Sequence, residues 1–537
     1  MRLLPGPRPL DLGPLFETLA ERGVPTVVRL SRPLDVAAER GERWTVPELA
    51  ELVGELSALL AAVGVRYGDR VAVHKRNHWD YPLLAAATAR IGAVPALLSE
   101  HLEPAALAAL VRRLEPAVLL SDRYTLALGG SRTQVAGRPL RTVSLDGPSP
   151  GAIDATTLRG GAVPAVRRRP DDEPLVIVHT SGTTGLPKLV VHSTDSLVRK
   201  LTSFEAHRWP LISIRPDDTV GNAGAYAHGR AVSWTISALW ARPETVVVLA
   251  DGEPAEAARL FAAHPPTVLE ALPATYVRWQ QLAAGPNTPF RDLRLAVSTF
   301  DAVHPPTVRT FLAASERRLP IWLQGWGQSE TGPITFRFLT RRALVQREQR
   351  HPTTRDLGRP VPGRSSLRVV DPATLEPVRR GEPGVVLVRT PNLCGGYLGE
   401  EQRWADKQQG SWFNTGDLGV RTWDGRLLLL DREVDQVPGL SCVELEDVLH
   451  DRLPELTEAV LLDAGPGRPP LPVLVTADGT LDPARWAGAV HDLPELAEPL
   501  LLGWDSLPRT GTGKVRRHEL RSRYLAGTVA RGTGRWT

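Results

Sequence analysis

Between residue 71 and about residue 430 the chain alternates short β-branched runs with Ala/Leu-rich stretches of helical spacing, and this alternation narrows its possible folds more than any other feature. Residues 71–73 read as a strand, 81–91 as a helix, 94–98 as a strand and 104–114 as a helix. The pattern recurs at 175–178, at 245–249 before a helix over 254–263, at 268–269, and at 293–297 before a helix over 305–314. Strands interleaved with helices predict layered α/β sheets, because each sheet face must be covered by helices. After Leu367 the texture changes to short strands with turn signals at 381–384, 385–388 and 424–430, which predicts a β-rich end to the large unit. A small α+β unit should follow, with a helix over 443–453, strands at 459–462 and 473–475, and a basic helix over 515–524. The expected boundaries are 1–431 for the large domain and 432–537 for the small one, with a disordered tail at 531–537.

A chain of 537 residues exceeds what one core organises and is long enough for an enzyme. Its 64 basic and 60 acidic residues leave a formal charge of +4, and the arginines are scattered. Arg167 to Arg169 and the pair Arg341 and Arg342 are isolated and lack interleaved aromatics, so no nucleic-acid partner is expected. Two cysteines, Cys394 and Cys442, cannot form a disulfide framework and should be reduced thiols. Pro5, Pro7, Pro9 and Asp11 interrupt the place of a signal peptide, and Arg90 and Pro95 break the most apolar segment, 83–98. The expectation is a cytoplasmic protein without membrane contact. Lysine is rare: Lys75, Lys188, Lys200, Lys407 and Lys514 are all there are.

The sharpest motif runs from the apolar strand 175–178 through His179, Thr180, Ser181, Gly182, Thr183, Thr184 and Gly185 to Lys188. Glycines admit backbone N–H groups close to an anion, hydroxyls add donors and Lys188 adds charge, so the loop suits a polyphosphate. It is not a Walker A loop, since two residues rather than four separate Gly182 from Gly185 and Lys188 lies three beyond. A plain surface turn is the bland alternative. Later stretches join it: Gln324, Gly325, Trp326, Gly327, Gln328, Ser329 and Glu330; then Trp412 to Asp417; then Arg432; and finally Pro508 to Lys514.

In this order the motifs resemble the adenylate-forming superfamily of acyl-CoA synthetases, aryl-CoA ligases, peptide-synthetase adenylation domains and luciferases. The resemblance covers nearly the whole chain and implies the following roles. Thr180 to Lys188 would hold phosphates, Trp326 would stack on adenine, and Glu330, with Thr184, would bind Mg²⁺ of ATP. Ser329 stands where threonine is usual. Asp417 would hold the ribose hydroxyls, Arg432 would precede an interdomain hinge, and Lys514 would sit on the loop of a mobile carboxy-terminal lid. A second cluster, Tyr226, His228 and Trp234, resembles the entrance to the acyl site, and His228 is equally open to a structural reading.

The chemistry supports this set independently. Attack of an oxyanion on the α-phosphate brings two anions together, so cations must gather there, and Lys188, Lys514 and a metal on Glu330 supply them. Two of five lysines fall on the two loops where an ammonium point charge is wanted. Two departures from the family pattern bear on the second half-reaction. Thr299 and Phe300 put bulk where the family has a small, glycine-containing segment, which predicts a narrow cavity and disfavours a long fatty acid. The loop after Arg432, with Asp435, Pro438 and Gly439, is about four residues shorter than the family pattern, the kind of change surface loops tolerate, and lacks its lysine.

The sequence therefore predicts an AMP-forming ligase that activates a small or aromatic acid with ATP and passes it to a thiol, coenzyme A or a carrier protein. The alternative is a non-thiol acceptor, as in relatives of this superfamily that activate nitrite for attack by an arylamine. A non-catalytic nucleotide-binding protein is disfavoured because Glu330, Asp417 and Lys514 are all present. Arginine-for-lysine bias points to a GC-rich bacterial source.

Overall fold

A computed structural model describes residues 10–129, 134–135, 138–180, 186–345, 354–432, 441–465, 467–525 and 535–536. Two mixed sheets dominate them. The nine-stranded sheet carries six parallel neighbours in the order Ile321–Gln328, Leu295–Ser298, Val268–Ala271, Thr219–Ala223, Thr245–Val248 and Val27–Leu30, with antiparallel strands at both edges. The eight-stranded sheet has the parallel order Pro174–His179, Val94–Ser99, Arg70–Lys75, Val118–Ser121, Thr142–Ser144 and Ile153–Asp154. Strands of both sheets read as unbroken Val/Leu/Ile runs because helices cover both of their faces.

Two helices are buried between the sheets. Asp80–Arg90 is buried along its whole length, and Gly229–Trp240 is buried except at Arg230 and Trp240. One apolar core joins Val73 and Val176 of one sheet, Val28, Val220 and Val246 of the other, and Leu83, Leu84, Val232 and Ile236 of these helices. Polar groups stitch the same seam. Lys75 is fully buried and pairs with Asp35 at 2.6 Å and Asp80 at 3.1 Å. Burial opposes its charge, but Asp80 and then Asp35 outweigh that and hold the ammonium's pKa above its usual value.

The expected elements compare closely with those found. Helices Pro104–Leu114, Pro254–Ala263 and Pro305–Ala314 begin and end where the sequence places them, each started by a proline whose fixed φ suits the first turn. A five-stranded antiparallel sheet, which includes Ser366–Val370, Pro383–Arg389, Trp412–Arg421 and Leu427–Arg432, forms the β-rich end. The strand expected over 424–430 starts three residues later, because Asp424 and Gly425 make the turn. Helix Val46–Ala62 lies ahead of the alternation and is opened by a capping box between Thr45 and Glu48.

After residue 441, helix Cys442–Arg452, strands Leu456–Leu462, Leu471–Thr476 and Leu500–Leu501, and helix Arg517–Tyr524 enclose cores of their own. Arg535–Trp536, expected to be disordered, pairs as a short strand with Thr480–Leu481. Cys394 and Cys442 are both buried. No helix among the described residues is long and apolar enough to cross a membrane.

His74, on strand Arg70–Lys75, lies buried with its Nδ1 3.4 Å from the Leu98 carbonyl oxygen, and burial pushes its imidazole down to about 4. The unfolded side chain titrates near 6.5, so the unfolded state takes the proton first as pH falls. Stability should therefore drop from about pH 6.5 to about pH 4, by roughly 1.4 kcal/mol per pH unit for this one group. In urea unfolding at a series of pH values, His74→Gln should flatten that slope by about this amount, and an unchanged slope would contradict it.

Candidate active site

The carboxyl ends of the parallel strands of both sheets open into one cleft of about 2290 Å³. Lys75, Ser99, His179 and Thr180 reach it from the eight-stranded sheet, and Ala225, Leu272, Thr299, Phe300 and Gln328 from the nine-stranded one. A cleft of this size is not the narrow cavity expected from Thr299 and Phe300, which line it among many other residues.

One wall carries the polyanion motifs. Thr180 N–H donates to the Lys188 carbonyl at 3.0 Å, and Lys188 N–H donates to Thr180 Oγ1 at 3.1 Å, which closes the neck of the loop between them. Ser181, Gly182, Thr183, Thr184 and Gly185 lie outside the described residues. His179 below that neck has a determined tautomer: Nε2 accepts from Ser99 N–H at 3.0 Å, so Nδ1 carries the proton given to the Thr180 carbonyl at 2.8 Å. Lys188 Nζ lies 3.7 Å from Glu330 Oε1 and 3.4 Å from the Tyr397 hydroxyl, which donates to the same Glu330 oxygen at 2.7 Å. Burial lowers the Lys188 pKa, with Glu330 opposing it.

Strand Ile321–Gln328 explains which of its residues reach the cleft. Period-two alternation turns Leu323, Gly325 and Gly327 toward the cavity and Gln324 and Trp326 away from it. Gln324 is buried, and Trp326 packs on the core of the β-rich sheet that holds Ile334 and Leu357. A register shift between Trp326 and Gly327 then brings Gln328 to the cleft. Gly327 admits no side chain, because a Cβ there would lie 2.0 Å from the Gly332 carbonyl oxygen. Gln328 Nε2 donates to Asp417 Oδ2 and to the Thr415 carbonyl, each at 2.9 Å, so Asp417 and Gln328 form one polar ledge. Ser329 and Glu330 complete this wall. The backbone of Arg432 pairs with Asp417, and its side chain lies outside the described residues, as do residues 433–440, the short loop.

The loop carrying Lys514 closes over the same cleft. Thr510 N–H donates to the Lys514 carbonyl at 2.8 Å, and Thr510 Oγ1 accepts from Lys514 N–H at 3.2 Å. Its tip presses on the end of strand Val94–Ser99: a Cβ on Gly511 would lie 2.3 Å from Ser99 Oγ. Arg516 anchors the loop's far side to Glu103 at 2.7 Å and to the His101 carbonyl at 2.5 Å.

The opposite half of the cleft is aromatic and anionic. His228 caps helix Gly229–Trp240, accepting the Arg230 N–H on Nδ1 at 3.1 Å. Its Nε2 therefore bears the proton and donates to Ser329 Oγ at 3.0 Å. Burial pushes this imidazole down to about 3. The Phe300 ring stands edge-on to it, centroids 4.8 Å apart, from a backbone at φ +80° that bulky residues rarely adopt. Trp234 and Thr299 also line this half. Tyr226 does not: it is buried, its backbone N–H bonds to Asn77, and its hydroxyl lies 3.1 Å from the carbonyls of Asn222 and Leu249.

A half-buried triad escaped the sequence reading. Arg230 grips Glu270 through two bonds of 2.7 Å and Glu205 through one of 2.5 Å. Two carboxylates share one guanidinium, and Glu205 Oε2 is buried without a hydrogen-bond partner among the described residues. Burial raises the Glu205 pKa against the pull of Arg230. The available signal was Glu270, a lone acid inside an apolar strand. Tyr397 was missed too, its only signal being the pair of glycines before it.

A family model described as "AMP-binding enzyme" matches residues 26–398. The chain is 38% identical to a 3-amino-2-hydroxy-4-methoxybenzoate diazotase of Streptomyces cremeus, over 97% of each chain. It is 24% identical to 4-coumarate–CoA ligase 5 of Oryza sativa subsp. japonica, over 96% of this chain and 95% of that one. Among solved structures, ATP-bound MatB from Rhodopseudomonas palustris shares the fold with a TM-score of 0.74, at 24% identity, over 96% of this chain and 99% of that one. More than two-thirds of the length matches the family model and nearly the whole length matches relatives of one architecture, so the chain belongs to the AMP-binding enzymes of the adenylate-forming superfamily.

Proposed function

We propose that this enzyme is an ATP-dependent diazotase that activates nitrite and delivers it to an arylamine carrying further polar ring substituents. The observation that carries this reading is the end-to-end identity of 38% with an aminobenzoate diazotase, against 24% with the rice CoA ligase over a similar span. In the first step a nitrite oxygen attacks the α-phosphorus and pyrophosphate leaves, giving a mixed anhydride of nitrous acid and AMP. The amine nitrogen then attacks the nitrosyl nitrogen and AMP leaves. The resulting N-nitrosamine tautomerises and loses hydroxide, as water once protonated, to give the diazonium ion.

The residues fit these demands. Lys188, with the loop from Thr180 to Gly185, is assigned to the phosphates, and Asp417, Gln328 and Arg432 to the ribose side. The Glu330 carboxylate, a hard oxygen donor held in place by Tyr397, suits Mg²⁺, which commonly takes one or two carboxylates besides phosphate oxygens. When bound, that ion would offset phosphate charge. Lys514 brings a second ammonium from the docked loop, and residues 432–537 are assigned as the lid that carries it over the domain at 1–431. Because His228 Nδ1 is already bonded to a backbone N–H, its role is to wall and polarise the acceptor half, not to take a proton. Glu205 Oε2 lacks a donor, and an amine N–H is the donor it would accept. Buried thiols suit a reducing, cytoplasmic setting.

A second reading, thioester formation on coenzyme A from an aromatic acid, is favoured by the CoA-ligase relatives and the large cleft. Pyrophosphate and AMP release should be measured with nitrite or carboxylic acids, with aminobenzoates, and with or without coenzyme A, while azo coupling traps the diazonium product. Turnover with nitrite and an amine, indifferent to coenzyme A, is expected. Turnover requiring a carboxylate and coenzyme A would overturn the diazotase reading.

Three substitutions test the assignments. Lys514→Ala should slow pyrophosphate release by at least a hundredfold while ATP still binds, since its loop acts only when docked. Normal release would sink the assignment. Gly511→Val should slow the same step by about tenfold or more with ATP affinity little changed, because its side chain would meet Ser99. Glu205→Gln should raise the KM for the amine roughly tenfold while nitrite-dependent pyrophosphate formation is unaltered. Equal losses in both would mean that Glu205 serves only packing.

A further inference from the structure

Away from the cleft, the segment after residue 441 meets the α/β body at a second place built from histidines. His304 precedes helix Pro305–Ala314, His450 lies on helix Cys442–Arg452, and Glu458 lies on strand Leu456–Leu462. One donor atom from each of the three falls within 4.8 Å of the other two. The two imidazoles stack with centroids 4.1 Å apart and planes 26° from parallel. His450 is 7% exposed, and its Nε2 has no hydrogen-bond partner among the described residues.

The surroundings are arranged as they are around metal-binding histidines. His304 Nδ1 bonds to Asp447 Oδ1 at 2.8 Å, which leaves Nε2 as its remaining donor atom. Asp447 is itself held, its second oxygen accepting from Thr354 N–H at 2.8 Å and from Thr354 Oγ1 at 3.0 Å. A carboxylate behind an imidazole fixes ring orientation and raises its strength as a ligand. Glu458 is steadied by Arg509 at 2.8 Å, and Arg509 belongs to the loop that carries Lys514.

We propose that His304, His450 and Glu458 form a binding site for a divalent cation of the zinc class, which ties the carboxy-terminal segment to the body with Lys514 in the cleft. Two imidazoles and one carboxylate are a borderline donor set of the kind that zinc prefers, with solvent as fourth ligand. Bonds of about 2.1 Å in a tetrahedron need donors about 3.4 Å apart, so the three side chains must draw together by roughly an ångström, which χ rotations supply. Satisfying His450 Nε2 is the gain that draws them.

The experiment uses the full-length protein, stripped with a chelator and dialysed, then titrated with Zn²⁺ against a chromophoric competitor. Co²⁺ is titrated in parallel for its visible absorption. The wild type should bind one equivalent of Zn²⁺ that Mg²⁺ in excess does not displace. His304→Gln and His450→Gln, which sit on opposite sides of the junction, should each weaken binding at least tenfold, and Zn²⁺ should raise the Tm of the wild type but not of either variant. If a histidine variant does not fold, Glu458→Gln, on a partly exposed side chain, decides by the same tenfold loss. Glu330→Gln should bind Zn²⁺ as the wild type does. Wild-type binding below a tenth of an equivalent, or affinity unchanged by these substitutions, would overturn the site.

Discussion

The short run from Lys75 to Asp80 holds the two sheets in the relation that creates the cleft. Asn77 Nδ2 donates to the carbonyls of Gly224 and Ala250, at 2.9 and 2.8 Å, and Asn77 Oδ1 accepts from Tyr226 N–H at 2.8 Å. One side chain from the end of an eight-stranded-sheet strand thus ties down the ends of two strands of the other sheet. Lys75 beside it, buried between Asp35 and Asp80, does the same for the end of strand Val27–Leu30. A buried pair of this kind contributes little net stability but punishes any arrangement that separates its members. The carboxyl ends of both sheets are thereby held facing one space.

Electrostatics in that space follow from burial. His179, His192 and His228 are all pushed toward the neutral form by desolvation, so three imidazoles line the cleft without adding charge. The positive charge comes instead from Lys188 and Lys514, one from each side of the cleft. The far half carries the Glu205–Arg230–Glu270 triad, one net negative charge around an enclosed guanidinium. Such a wall disfavours an anionic group at its surface and favours a hydrogen-bond donor, which distinguishes this half of the cleft from the half that carries the lysines.

Much of the framework was legible because local rules governed it. Proline-started helices at 104–114, 254–263 and 305–314 need only their own sequence to set their limits. The cation-bearing loops were legible because isolated lysines in an arginine-rich chain stand out. The faces of strand Ile321–Gln328 were not: its motif groups Gln324, Trp326 and Gln328 together, but alternation and a register shift sort the first two from the third. Tyr226 sits two residues from His228 in the sequence and still belongs to the core, because the turn into helix Gly229–Trp240 sends its ring toward Leu249. The neighbours of His228 come from residues 300 and 329, and those of Arg230 from 205 and 270, separations that no local pattern reports.

The sequence by itself determined the layered α/β class, the family, the order of the motifs around Lys188, Glu330, Asp417 and Lys514 and the placing of two lysines on separate loops, since each depends on residues adjacent in the chain. Only the tertiary structure decided which residues face the cleft, how Tyr397 fixes Glu330, how Gly511 seats the lysine loop on Ser99, and how His304 meets His450. Each of these is a contact between distant segments. Strand ends meet where sheet packing and buried polar pairs bring them, and that geometry is a property of the assembled core rather than of any stretch of chain.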